Sequence, residues 1–126
     1  AVLEGVAFAI RDSFEVARAL GLSIPRSTLC GGGAKSALWR KILANVLNIP
    51  LDTTQTQEGP GYGAALLAMV ACGAFANVTE ACQRLVRVSE TVRPDPELAA
   101  RYEARYQQFR NIYPACKALF PSLLDT

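Results

Sequence analysis

Ser27-Thr28-Leu29-Cys30-Gly31-Gly32-Gly33-Ala34-Lys35-Ser36 is a short apolar approach that runs into three glycines and then into the helical pattern carried by Leu38, Trp39, Ile42, Leu43, Val46 and Leu47. The order reads strand, glycine turn, helix. Consecutive glycines let the backbone take positive φ and let another group approach the main chain without interference from a Cβ. The first N–H groups of the following helix lack intrahelical acceptors and sit at the positive end of its dipole, a combination that suits a phosphate. Read alone, the stretch fits a tight βα turn that binds nothing equally well.

Outward from the turn, Asn48 caps the helix, and Ile49-Pro50-Leu51-Asp52-Thr53 reads as a second strand, its proline near the start as strands tolerate. Strand, crossover helix, strand implies a right-handed parallel pair. Upstream, Ala1 to Leu20 spaces Leu3, Val6, Ala7, Ile10, Phe14, Ala17 and Leu20 as the apolar side of an amphipathic helix, with Glu4, Arg11, Glu15 and Arg18 opposite. Gly21 stops it, and the chain starts inside an element. Asp12 and Glu15 lie among arginines and read as a solvated face rather than a catalytic pair.

Downstream, Gln55 to Gly63 reads as a polar, glycine-rich loop and Ala64 to Cys72 as a helix of small residues able to pack closely on a neighbour, stopped by Gly73. Glu58 sits near that helix start, where a carboxylate complements the dipole. Asn77 and Glu80 have capping-box spacing for a helix through Val86, and Val86 to Val92 reads as a short strand. Asp95-Pro96-Glu97 opens a further helix whose Leu98, Tyr102, Tyr106, Phe109, Tyr113, Cys116 and Phe120 share one face as core, with a break predicted at Pro114.

Composition narrows the chemistry. The 126 residues are 51% hydrophobic, enough for one domain with a true core. A net charge of +2, with 13 basic and 11 acidic residues interspersed, gives no nucleic-acid stripe, and no run is long enough for a membrane span or laid out as a signal peptide, so a cytoplasmic location is the default. Cys30, Cys72, Cys82 and Cys116 are far apart and read as small buried hydrophobes. Without a single histidine, Ser-His-Asp and Cys-His catalysis are absent, and no metal site is predicted. The turn fails the P-loop pattern because Leu29 and Ala34 stand where its glycines belong. A dinucleotide fingerprint fits more nearly, with Gly31, Gly33, the small Ser36 and Asp52 as a ribose-binding acid.

Four ordered blocks point elsewhere. Ala1-Val2-Leu3-Glu4-Gly5-Val6-Ala7-Phe8-Ala9-Ile10-Arg11-Asp12, Gly31 to Ser36 with Leu38-Trp39-Arg40, Glu58-Gly59-Pro60-Gly61-Tyr62-Gly63-Ala64-Ala65, and Arg105-Tyr106 through Tyr113-Pro114 to Leu119-Phe120 together resemble the C-terminal part of the FGGY carbohydrate kinases, within them the xylulose kinases. The resemblance implies a helix-rich α/β fold: a fragment of an actin-like, ribonuclease-H-like ATPase domain with a short parallel βαβ core and surrounding helices. It implies that residues 1–126 are the nucleotide-binding side of the second kinase domain, without the N-terminal sugar-binding domain.

By that resemblance, Gly31, Gly32 and Gly33 meet the ribose and phosphates of ATP or ADP, Ser36 on the first helical turn lies on the adenine side, and Ala34 and Lys35 are neighbours. The catalytic aspartate base, the sugar site and most Mg2+ contacts are expected upstream of residue 1, so no catalytic residue is assigned within this chain, which alone would be inactive. The implied reaction is transfer of the γ-phosphate of ATP to D-xylulose. Three alternatives stand beside it: another sugar or polyol kinase of the family, a dinucleotide-dependent oxidoreductase fragment using Gly31, Gly33 and Asp52, and a non-catalytic α/β interaction module. The expected assembly is a homo-oligomer, and the fragment is expected to self-associate through apolar surface and an open sheet edge.

Overall fold

The computed structural model describes residues 1–56 and 59–124, so the expectation placed on Glu58 lies outside the described residues. A three-stranded sheet in the order β1 (Ser27–Leu29), β2 (Leu51–Thr54), β3 (Val88–Val92) packs on α2 (Ala37–Leu47), which in turn packs on α1 (Val2–Ala19) and α5 (Pro96–Arg110). The first two strands pair in parallel, Thr28 facing Asp52, as the strand–helix–strand order requires. β3 joins antiparallel, with Asp52 facing Thr91 and Thr53 facing Glu90, so the small sheet is mixed. Thr54 then faces Val88, which leaves Ser89 as the extra residue of a bulge beside Thr53 and Thr54.

α2 is the centre of the packing. Ile42, Leu43, Ala44, Asn45, Val46 and Leu47 are all buried, because α1 and α5 cover one side of the helix and the sheet the other. Phe8 sets three ring contacts, with centroids 6.1 Å from Tyr102, 6.0 Å from Tyr106 and 5.4 Å from Phe109. Such aromatic pairs add about 0.5–1.5 kcal/mol each beyond area burial. Tyr106 is among the largest fully buried side chains.

The face of α1 differs from the one its periodicity predicts. Leu3, Val6 and Leu20 are exposed, whereas Phe8 and Arg11 are buried beside Ala7. Arg11 is held because its guanidinium lies over the Tyr106 ring, Cζ 4.0 Å from the centroid, donates to the Val46 carbonyl at 3.2 Å and pairs with Glu15 and Glu103. Arg18 donates to the Leu47 carbonyl at 3.3 Å. Both cations thus serve the last carbonyls of α2, whose C-terminal dipole they complement. Asp12 accepts from the Tyr106 hydroxyl at 2.6 Å and Glu15 binds the arginines, which assigns both carboxylates to structure.

Most terminators act where the sequence placed them. Gly21 and Gly73 have φ of +84° and +80°, Asn48 takes the left-handed cap at φ 51°, and Asn77 and Asp95 accept from the N–H groups of Glu80 and of Glu97 and Leu98. α3 differs: it spans Gly59–Ala71, absorbing the Gly-Pro-Gly-Tyr-Gly segment that composition assigns to a loop. Only Leu66 of α3 is buried, and the helix packs on α4 (Val78–Leu85). The helical run breaks at Asn111, ahead of Pro114, which has no N–H for the Arg110 carbonyl; α6 (Ile112–Cys116), a 3-10 turn and α7 (Phe120–Leu124) follow. The predicted aromatic core therefore ends at Phe109, and Tyr113 and Phe120 are exposed. The cysteines also depart from expectation: all four are free, Cys30 and Cys72 exposed and Cys82 and Cys116 half-buried, since the elements bearing them turn little surface toward α2.

Candidate functional site

β1 ends at Leu29, and Gly31 then takes φ +82°, a conformation that costs a residue with a Cβ but not glycine. A single 3-10 turn, Gly32–Lys35, separates the strand from α2. The Ala34 N–H donates to the Gly31 carbonyl at 3.1 Å, so the N–H groups of Gly32 and Gly33 precede the first bond of that turn. Ser36 leaves the turn in an extended conformation and caps α2, its Oγ 3.3 Å from the Trp39 N–H. This corrects two expectations. Ser36 is the cap rather than part of the first helical turn, and a separate turn, not α2 itself, presents the glycine N–H groups.

The three glycines have different physical reasons to lack a side chain. Gly31 needs its φ; a Cβ on Gly33 would sit 3.0 Å from Cδ1 and Nε1 of Trp39; Gly32 has neither constraint, with nothing within 4 Å of where its Cβ would be. A further glycine converges here from α3. A Cβ on Gly59 would fall 2.6 Å from Cys30 Sγ, so the start of α3 lies directly against the end of β1.

Beyond the C-terminal ends of the two parallel strands, where α/β sheets place their ligands, a cleft of about 310 Å³ opens. The turn contributes Gly31, Ala34 and Lys35; β2 and its exit contribute Thr53, Thr54 and Thr56; β3 contributes Ser89 and Glu90; and Arg40 reaches in from α2. Gly32, Gly33 and Ser36 are exposed but do not line this cleft. The hydroxyls are mutually arranged: Ser89 donates to the Thr53 carbonyl at 3.1 Å, and Thr54 to the Thr56 carbonyl at 2.8 Å. Arg40 donates to the Ala34 carbonyl at 2.7 Å and pairs with Glu90 at 2.9 Å. Lys35 is exposed at the rim and has no ion pair among the described residues. Among the described residues the arrangement offers donors, hydroxyls and cations, and its one carboxylate, Glu90, is paired with Arg40, so it suits binding rather than proton transfer.

Sequence reading reached the turn but not the opposite wall. Thr53 and Thr54 were recoverable in principle from their place at the end of a parallel strand, whereas Ser89 and Glu90 enter only through the bulge. Asp52 departs from the role the dinucleotide reading gives it. It is 5% exposed in the middle of the sheet, its carboxylate bound by Arg26 at 2.6 Å and by the Thr91 hydroxyl at 2.6 Å, so it cannot reach a ribose. Those bonds, Thr91 first and then Arg26, hold its pKa below the ordinary carboxylate value. Among the described residues no group of three or more His, Cys, Asp or Glu could hold a metal ion, and no helix is long and apolar enough to cross a membrane.

Comparison with known proteins matches residues 1–72 to the C-terminal domain of the FGGY family of carbohydrate kinases. A xylulose kinase of Staphylococcus epidermidis is 33% identical over 124 residues, 98% of this chain and 25% of that protein. Among solved structures, a gluconate kinase from Lactobacillus acidophilus superimposes with a TM-score of 0.86 at 26% identity, over 98% of this chain and 25% of its own. A xylulose kinase from Brucella ovis gives 0.83 at 36% identity, over 94% and 24%. The chain thus spans about a quarter of the length of the curated relatives it matches. The likeness bears out the helix-rich α/β fold of actin-like sugar kinases, with one antiparallel strand added to the parallel pair. Taken with the strand, glycine turn and capped helix it encloses, the match shows that the chain belongs to the FGGY family of carbohydrate kinases.

Proposed function

We propose that residues 1–126 form the nucleotide side of the second domain of a sugar kinase that transfers the γ-phosphate of ATP to a hydroxyl of D-xylulose, giving D-xylulose 5-phosphate and ADP. The observation that carries the reading is the glycine turn at the end of β1, which leaves the N–H groups of the exposed residues Gly32 and Gly33 outside the turn's own hydrogen bonds, next to a polar cleft lined by Lys35 and Arg40. N–H groups of this kind stabilise phosphate oxygens without side-chain chemistry, and phosphoryl transfer depends chiefly on positioning and charge stabilisation.

In this reading Gly31, Gly32 and Gly33 meet the ribose and phosphates, Lys35 adds positive potential at the rim, and Ala34 and Ser36 fix the shape of the turn, Ser36 toward the adenine. The Mg2+ that accompanies ATP does not find its ligands among the described residues, because the carboxylate in the cleft, Glu90, is already paired with Arg40. In this reading the metal's ligands, the aspartate base and the sugar contacts belong to other parts of the kinase. D-xylulose is favoured by the xylulose kinases of Staphylococcus epidermidis and Brucella ovis; the gluconate kinase of similar fold supports the alternative of another sugar acid, ketose or polyol.

Two assays on the full-length protein test this. Titration with ADP and with NAD is expected to give binding of ADP alone; preference for NAD would sink the kinase reading. With ATP and a panel of ketoses, polyols and gluconate, D-xylulose is expected to have the highest kcat/KM, and a different best substrate would replace the sugar while keeping the reaction.

A further inference from the structure

Arg40 belongs to the Leu38-Trp39-Arg40 segment, to which the nucleotide reading assigns no task. Its place on the first turn of α2 would ordinarily point a long cation at solvent. Instead the side chain is 15% exposed and folded back across the cleft. Nη1 donates to the Ala34 carbonyl, within the glycine turn, at 2.7 Å, and Nη2 donates to Glu90 Oε2, on β3, at 2.9 Å. Among the described side-chain hydrogen bonds, this is the only link between the turn and β3. The third donor, Nε, is buried without an acceptor. An unpaired buried N–H is a cost that a residue selected for stability alone has no reason to carry. The fork of the guanidinium is used for its span, which the single point charge of a lysine does not match.

We propose that Arg40 is a positioning residue for the nucleotide: by tying the Ala34 carbonyl to Glu90 it holds the turn that carries Gly32, Gly33 and Lys35 at a fixed height above the bulged end of β3. This rests on the reading of the cleft as the nucleotide side. Holding the turn in place before ligand arrives removes an ordering cost from binding. In that reading the sugar site lies upstream of residue 1, so the consequence is confined to ATP.

The test uses the full-length kinase and measures KM for ATP, KM for the sugar, kcat and Tm for Arg40→Ala, Arg40→Lys, Glu90→Gln and, as a reference for the turn itself, Gly32→Val. Arg40→Ala is expected to raise KM for ATP by about fivefold or more, with kcat and the sugar KM within about twofold. Arg40→Lys keeps the charge but reaches one acceptor, and is expected to recover less than about half of that loss. Glu90→Gln, at an exposed residue whose replacement leaves the fold intact, is expected to raise KM for ATP by about twofold to threefold. An unchanged ATP KM in Arg40→Ala beside a raised one in Gly32→Val overturns the role of Arg40 and leaves the nucleotide reading standing. Unchanged values in both overturn the nucleotide reading as well. A fall in every parameter together with Tm in Arg40→Ala, with no effect of Glu90→Gln, reduces Arg40 to a structural residue.

Discussion

Replacing Gly32 with valine separates ligand contact from folding, which its two glycine neighbours cannot do. Gly31 sits at φ +82° and ψ −176°, a region nearly confined to glycine, so any side chain there costs about 1–3 kcal/mol of backbone strain before ligand is considered. Gly33 faces the Trp39 ring at 3.0 Å, where an added methyl is overpacked by about 1–3 kcal/mol. At Gly32 the φ is ordinary and a Cβ meets nothing within 4 Å, so valine is accommodated by the protein and Tm should shift by no more than about 2 °C. In the nucleotide reading the new branch instead crowds the approach of a phosphate to the Gly32 and Gly33 N–H groups. Loss of one charge-assisted hydrogen bond to a phosphate is worth about 1.5–3 kcal/mol, which corresponds to a rise in KM for ATP of about 10- to 150-fold. In the full-length kinase, steady-state rates with ATP and sugar varied in turn should put that change in the ATP term and leave the sugar KM within about twofold. An unchanged KM for ATP, with Tm also unchanged, would refute the reasoning and return the turn to a purely structural role.

Other consequences concern the scaffold. Burial and the hydrogen bond to Asp12 raise the Tyr106 pKa to about 12, so its contribution is complete below pH 10, the ordinary tyrosine value, and is lost as pH rises toward 12; chemical denaturation should show stability falling over that window, and less so in Tyr106→Phe, which costs about 1 kcal/mol at neutral pH. Asp52 has the opposite sign, its folded pKa lying below the unfolded value of about 3.9, so acid unfolding that begins below about pH 4 should be blunted in Asp52→Asn, at a neutral-pH cost of about 1–2 kcal/mol. The isolated chain exposes Leu38, Leu67 and Tyr113 at 61%, 58% and 61%, and β1 pairs on one side only; sedimentation at rising concentration should reveal self-association, and a monomer at every concentration would contradict it.

The fold was legible where one local rule sufficed. Gly21, Asn48, Gly73, Asn77 and Asp95 terminate or start helices through their own backbone geometry or side-chain oxygens, and the βαβ order forces a parallel pair whatever surrounds it. Legibility failed where packing chose between options that periodicity leaves equal. An arginine at position 11 reads as solvent-facing because a charge is costly to bury, yet the C-terminal carbonyls of α2, the ring of Tyr106 and two carboxylates supply what water would have supplied. Gly59 to Gly63 read as a loop because glycine disfavours helix. There the deciding feature is the approach to Cys30, which permits no Cβ at Gly59 and is invisible in composition.

The candidate site divides along the same line. Its turn is written in consecutive residues, so Gly31 to Ser36 could be named from the sequence, although the placement of Ser36 as a cap required the dihedral angles. Its opposite wall is assembled from two separate segments, and the bulge that brings Ser89 and Glu90 to the cleft depends on a one-residue mismatch of register between β2 and β3. No local propensity encodes that mismatch. What joins the halves is Arg40, which lies close to the glycines in sequence and reaches a residue 50 positions later in space. A positioning role for this arginine therefore requires both the local turn and the distant register, and its kinetic signature in ATP alone is the measurement that would tie the legible half of the site to the half that only the fold supplies.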